Sequence, residues 1–373
     1  MKRGIVFPIA LVLGWTLFGP SAGAQGQTLT LFGQKTPTPV VVTPPGDVVQ
    51  LVTTNTDTYL LLSDGTVWSM GEDNSGELGN GTIQNGWLTT PTKATFPAGV
   101  VISSLATVGP RATEMAIDTN GDVWGWGQNH FGQLCLGNTN VQATPVQLPF
   151  TDVSLVVGAG DHASYDANGA LSSCGSNQKG ELGDGTFTDS LSPKAVVGLP
   201  DEPITALTAA WGTTGAVMQD GSLWVWGYHA NGQLGIGTTT NSASAVQVPL
   251  EAPIAEAAQG GGAPTDGQTV VTLTDGTTWA WGNDNWGQLC LGSVTPTIKH
   301  PHQVSGTWTA VASGGETDYL VNTAGRLWAC GDNSKSQFGN GTAGGESSVP
   351  VSLPYKTVEQ VSSTNFNSAV LTG

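Results

Sequence analysis

Six copies of a phrase of about twenty residues, a composition rich in glycine and tryptophan, and complementary half-copies at the two ends predict an all-β fold. The architecture expected is a seven-bladed β-propeller with four-stranded antiparallel blades, closed by N- and C-terminal strands that share one blade. The copies include "DGTVWSMGEDNSGELGNGT" from Asp64, "NGDVWGWGQNHFGQLCLGNT" from Asn120 and "DGTTWAWGNDNWGQLCLGS" from Asp275, with others from Asn168, Asp220 and Ala324. Their central glycines, Gly71, Gly127, Gly175, Gly227, Gly282 and Gly331, are 56, 48, 52, 55 and 49 residues apart. With 53 Gly, 21 Pro and 10% charged residues, short strands and tight turns are favoured over amphipathic helices.

In chain order, the first element is a leader. "MKRG" is basic, "IVFPIALVLGWTLFG" is apolar, and Ala22-Gly23-Ala24 has the small-x-small pattern of a signal-peptidase site. Pro8, Gly14 and Pro20 interrupt the apolar run, which argues against an uncleaved anchor. Residues 1–24 are therefore expected to be a signal peptide, leaving 25–373 as a single propeller domain without further membrane insertion. Losing Lys2 and Arg3 and no acid takes the net charge from −17 to −19.

Each repeat unit then reads as four strands. Apolar runs such as Tyr59 to Leu62 and Val67 to Met70 flank an Asp-Gly or Asn-Gly pair, the signature of a hairpin with a type I′ turn. After "GxLGxGT" a Pro-led outer strand is expected, as at Pro145 to Leu148 or Pro350 to Leu353, and one more extended run precedes the hairpin, as at Ile102 to Val108. "SAVLTG" (Ser368 to Gly373) stops where other copies enter their turn. The missing half is at the other end: Leu29, Phe32 and Gly33 match Val67, Met70 and Gly71, and Pro39 to Val42 match the Pro-led strand. Sharing this unit pairs two strands that would otherwise be exposed edges.

"DGxxWxWGxNxxGQLGxGT" followed by a Pro-led strand resembles the regulator of chromosome condensation repeat, across essentially all of the expected mature chain. The resemblance implies a seven-bladed propeller and little about function, since one fold hosts many activities. The nuclear founder of the family exchanges nucleotide on a small GTPase on chromatin. A leader and 28 acids against 11 basic residues argue against inheriting that role and against nucleic acid as a partner. Exported bacterial propellers of similar repeats include inhibitors of secreted β-lactamases. Their repeat is shorter and lacks "LGxGT", so what carries over is a class of behaviour.

The expected function is accordingly that of an exported, monomeric protein-binding propeller, secreted to the extracellular space or periplasm, an inhibitor or scaffold for a secreted or surface protein. The alternative is a propeller lyase or hydrolase with its site over the central channel. Neither G-x-S-x-G nor H-E-x-x-H occurs, and the histidines fall in different units without ligand spacing. His300 and His302 flank Pro301 but supply too few ligands for a structural zinc site. "DTNGD" (118–122) and "EDNSGE" (72–77) depart from the EF-hand spacing and fit turn chemistry. No catalytic residue, metal or cofactor is assigned.

"GQLCLG" occurs only in the second and fifth units and reads as one residue longer than "GELG" or "GQLG". It carries Cys135 and Cys290, and the units that follow are the ones with Cys just before the central glycine, Cys174 and Cys330. Of three possible connectivities, only Cys135–Cys174 with Cys290–Cys330 respects this symmetry, and export permits both bonds.

A docking face is expected where the loop after "WGxN" and the loop before the inner hairpin emerge together, because an even number of strand traversals separates them. Residues there that change from unit to unit are Arg111, His130, Phe131, Trp211, Tyr228, His229, Trp286 and Phe366, with types enriched in interface hot spots. Phe131 and Trp286 have burial between blades as their alternative, whereas Trp211 and Tyr228 are expected to be exposed.

Overall fold

The computed structural model describes residues 26–33, 38–106, 113–261, 267–365 and 367–373. The expected leader over residues 1–24 lies outside them, as do Arg111 and Phe366. Among the described residues, twenty-eight strands form seven four-stranded antiparallel sheets arranged as the blades of a propeller. Blade one comprises Val48–Thr53, Asp57–Leu62, Val67–Asp73 and Gln84–Lys93. Blades two to six repeat this order and begin at Ile102, Val153, Ile204, Ile254 and Trp308. The seventh has the order Val40–Val42, Thr28–Gly33, Asn367–Thr372, Val358–Ser363, and the register Leu29↔Leu371 and Leu31↔Ala369 closes the ring as expected. No helix among the described residues is long and apolar enough to cross a membrane.

Each first strand packs against the first strand of a neighbouring blade around the axis, while the fourth strands are the exposed outer edges. The core lies between adjacent sheets. Trp126, Trp226 and Trp281, on the third strands of blades two, four and five, are fully buried, and burial of rings this size contributes roughly 2–3 kcal/mol each. Each indole donates across the blade boundary at 2.9 Å, to the carbonyls of Glu77, Glu181 and Gln233. Each also lies flat on a glycine of the preceding blade. A Cβ on Gly79, Gly183 or Gly235 would come within 2.6–2.9 Å of the ring, and their positive φ already excludes most side chains.

The disulfides reuse that slot. Cys135 and Cys290 have φ of 56° and 58°, like Gly79 at 64° and Gly235 at 67°, so they stand at the glycine position and "GQLCLG" is no longer than "GELGNG". That corrects the expected one-residue insertion. Their partners Cys174 and Cys330 stand where blades two, four and five carry Trp, blade one Met70 and blade seven Phe32. The pairs are Cys135–Cys174 and Cys290–Cys330, with Cα atoms 5.7 and 5.5 Å apart, each joining adjacent blades.

Two local expectations also change. In the Asp64-Gly65 turn of blade one only Gly65 has positive φ, the N–H of Gly65 donates to Leu62 O, and the N–H of Leu62 donates to Thr66 O. This is a type I turn closed by a left-handed glycine, and Asp64 holds it by accepting from the Thr66 N–H at 2.9 Å. Only in blade three do both central residues, Asn168 at 54° and Gly169 at 81°, adopt the type I′ conformation. The prolines meant to lead the outer strands lie inside them, Pro145 within Gln142–Gln147 and Pro350 within Glu346–Ser352. An edge strand tolerates the missing N–H.

Candidate functional site

The chain reverses direction at each strand, so the loop between strands one and two and the loop between strands three and four share one end of every blade. Hydrogen bonds tie the two loops together: the N–H groups of Ser176, Tyr228, Asn283 and Asp332 donate to the carbonyls of Asp161, Gly212, Gly267 and Glu316 at 2.7–2.9 Å. The Asp-Gly turns occupy the opposite end.

The longer loop is built the same way in each complete blade. An acid or amide at its base, or the His229 imidazole in blade four, accepts the N–H of the residue five positions on, as Asn129 does from Leu134, Asn177 from Leu182 and Asp284 from Leu289. Two residues past its tip, a buried Glu or Gln turns back to accept the tip's own N–H. Glu77 takes Ser75, Gln133 takes Phe131, Glu181 takes Lys179, Gln233 takes Asn231, Gln288 takes Trp286 and Gln337 takes Lys335, at 2.6–3.0 Å. A glycine between tip and amide presses on the next blade, where a Cβ at Gly132 or Gly287 would lie 2.3 or 2.6 Å from Leu191 or Ser348. Each tip backbone is thereby fixed while its side chain is free to differ between blades.

Trp286 is 40% exposed at such a tip, and Phe131 is half-buried at the equivalent one, beside exposed His130. Trp211 and Tyr228 are half-buried rather than exposed, because their rings meet edge-on at 5.7 Å and the Trp211 N–H donates to Gly261 O of the next blade. Burial raises the Tyr228 phenol above its ordinary range. His229 requires a correction. It stands at the Asn position of "WGxN" and is fully buried, its Nδ1 accepting the Leu234 N–H at 3.0 Å, so it braces the loop instead of reaching a partner. Lys179 and Lys335, absent from the residues expected on this face, occupy the same tip position as Phe131 and Trp286, and the alignment of the repeats places them there.

A catalytic reading finds one array in this region. His162 Nδ1 lies 3.1 Å from Asp161 Oδ1 and Nε2 lies 2.8 Å from Thr214 Oγ1. All three side chains are buried and Thr214 also donates to Glu181 O, so the array ties blade three to blade four without presenting a nucleophile to solvent. Sequence reasoning did not find the buried carboxyls that begin the second strands. Burial pushes Asp57 up to about 8 with Glu77 adding repulsion, Asp318 up to about 7, and Glu114 well above the carboxylate range. Near neutral pH Asp57 and Glu114 are held protonated in the core, while Asp318 lies close to its midpoint.

Three segments, residues 64–110, 120–164 and 220–261, match the family model for the regulator of chromosome condensation (RCC1) repeat. The chain is similar to the ultraviolet-B receptor UVR8 of Arabidopsis thaliana, 28% identical over 285 residues, 75% of this chain and 62% of that protein. It is also similar to the human E3 ubiquitin-protein ligase HERC2, 27% identical over 340 residues, 88% of this chain and 7% of that protein. The chain thus spans less than two thirds of the length of either relative. Among solved structures, human WBSCR16 superposes with a TM-score of 0.79 at 17% identity, over 93% of this chain and 99% of that one. Prp20p from Saccharomyces cerevisiae, whose binding to Gsp1p and histones was studied with its structure, gives 0.80 at 18% identity over 94% and 92%. Three segments of the chain therefore match the RCC1 repeat, and its fold is a seven-bladed propeller.

Proposed function

We propose that this chain is an exported protein-binding propeller of the bacterial type, an inhibitor or scaffold whose partner docks on the ring of loop tips. The observation that carries the reading is the contrast within that ring. The bracing Glu or Gln recurs in six blades while the tip changes from Ser75 to Phe131, Lys179, Asn231, Trp286 and Lys335. Selection for folding alone needs the brace and not five different displayed side chains across six blades. Trp286, Phe131 and His130 are the anchors, with Trp211 and Tyr228 as a second aromatic patch. Arg111 and Phe366, in the shorter loops, complete the proposed face from sequence alone.

Protein docking is also what the solved yeast propeller does, since it has been crystallised with Kap60 bound. The likeness supports docking of some protein and none of those partners in particular. The leader over residues 1–24 and the two disulfides support export, to the extracellular space or periplasm, as a monomer. Tagged chain 25–373 is used to capture partners from the native culture medium, and the captured protein is titrated against variants. Trp286→Ala and Trp211→Ala are each expected to weaken binding by roughly 2 kcal/mol with unchanged melting. Normal binding by both variants, with loss on substitution of the Asp-Gly turn end, assigns docking to the other face.

A further inference from the structure

The opposite end of the propeller carries a feature that the loop-tip ring does not use. In blades four and five, the linker from Pro249 to Pro253 runs between two Asp-Gly turns. The Ile254 N–H donates to Gly221 O and the Thr274 N–H to Pro253 O, both at 2.9 Å. Between this linker and the outer strand Thr297–Val304 lies a cleft of about 160 Å³, lined by Pro249, Leu250, Glu251, Trp279, His300 and Pro301. Small-molecule pockets commonly exceed 300 Å³, so this cleft has the size for one side-chain head and not for a cofactor.

The indole in it lacks a cover that two of its equivalents have. Trp124 of blade two is met edge-on by Phe96 at 6.0 Å, and Trp328 of blade six by Trp308 at 6.0 Å. Among the described residues Trp279 has no such ring against it, and it is half-buried at the cleft. In the same cleft the Glu251 carboxylate is exposed and makes no ion pair among the described residues. A ring face next to a free carboxylate is a receptor for a cation, which gains ring attraction and charge pairing together.

The surroundings have the same sign. No Lys or Arg occurs between residues 195 and 298. On this end the carboxylates of Asp201, Glu202, Asp220 and Asp275 are exposed as Glu251 is, and the Gln219 N–H, donating to Pro203 O at 2.9 Å, holds the segment that leads into blade four against the blade-four turn. Lys299 neighbours His300 in sequence but belongs to the other side of its strand, where it acts on His229. We propose that the turn end of blades four and five docks a basic segment of a partner protein, with one arginine or lysine side chain seated between Trp279 and Glu251. This surface is distinct from the loop-tip face and stands or falls separately from it.

The test uses the whole chain 25–373 and a fluorescein-labelled peptide of arginine alternating with glycine and serine, followed by fluorescence anisotropy. Binding that falls with added salt is expected, with none for the same peptide carrying citrulline in place of arginine. Glu251→Gln and Trp279→Ala should each weaken binding about fivefold or more, and Trp279→Phe should retain most of it. Glu346→Gln, an exposed acid on the outer strand of blade six, should change nothing. Because Glu251→Gln alters only an exposed side chain, it remains informative if Trp279→Ala unfolds the blade. Absence of arginine-peptide binding, equal weakening by Glu346→Gln, or indifference to Glu251→Gln overturns the proposal. So does loss of peptide binding through Trp211→Ala or Trp286→Ala with Glu251→Gln silent.

Discussion

The backbone N–H of Val311 in blade six donates to Oε2 of Glu256 in blade five at 3.3 Å, while the buried Oε1 of the same carboxyl has no partner. Gln50 and Gln360 hold the corresponding third position of the first strand in blades one and seven. Each clamps its neighbour with both ends of the amide, Gln360 accepting from the Leu51 N–H at 2.8 Å and donating to Val49 O at 3.0 Å. A protonated carboxyl has the shape of that amide, and burial pushes Glu256 up to about 8.

Between the ordinary carboxyl value of 4.5 and about 8, the folded chain keeps a proton on Glu256 that the unfolded chain has released. Stability from this group is complete below the lower value and is lost as pH rises through the upper one. Glu256→Gln should match the parent chain near pH 5 and exceed it by roughly 2–4 kcal/mol near pH 8.5. Urea unfolding at both pH values checks this, and a pH-independent difference between the two proteins would falsify it.

His229 works in the opposite direction. Burial, assisted by Lys299, pushes it down to about 4, and its buried Nε2 has no partner. The folded chain holds it neutral, so its contribution is present above the unfolded value of about 6.5 and is lost as pH falls toward 4. His229→Asn restores the residue that Asn129 and Asn177 represent in their blades. It should stabilise the chain by roughly 1 kcal/mol at pH 7 and by more at pH 4.5. A lower melting temperature at both pH values would show that the imidazole packs better than the amide.

The disulfides should be replaceable by the contact they displace. Cys135→Ala with Cys174→Ala removes a bond between residues 39 positions apart and should cost roughly 2–4 kcal/mol. Cys135→Gly with Cys174→Trp rebuilds the glycine–indole pair of Gly79 and Trp126 and should recover much of that loss. Melting under non-reducing conditions ranks the three proteins. Equal stability of the Ala and Gly–Trp pairs would rule out a shared slot.

Ring closure rests on the pairing of Thr28–Gly33 with Asn367–Thr372, six residues on each side. Deleting Phe366 to Gly373 strips this partner from Leu29 and Phe32, both fully buried, and exposes an edge. Loss of the single sharp unfolding transition and aggregation are expected in calorimetry and light scattering. A truncated chain that melts as sharply and as high as the intact one would show that the ring does not depend on this blade.

What the sequence determined by itself is whatever repetition makes visible. Six copies of one phrase fix the blade count, the complementary ends fix the shared blade, and the matched cysteines fix the pairing, because each is a comparison of the chain with itself. Repetition also located the loop tips, since a position that varies inside a constant frame stands out without coordinates. Tertiary structure decided everything that depends on the neighbouring blade. It put Cys135 in a glycine's conformation, buried His229 at a bracing position, and turned Trp211 onto Tyr228. It also left Trp279 beside Glu251 at the far end. The reason is that side-chain environment in a propeller is set across blade boundaries, by residues about fifty positions away in the chain, and a local motif carries no record of what the next sheet presses against it.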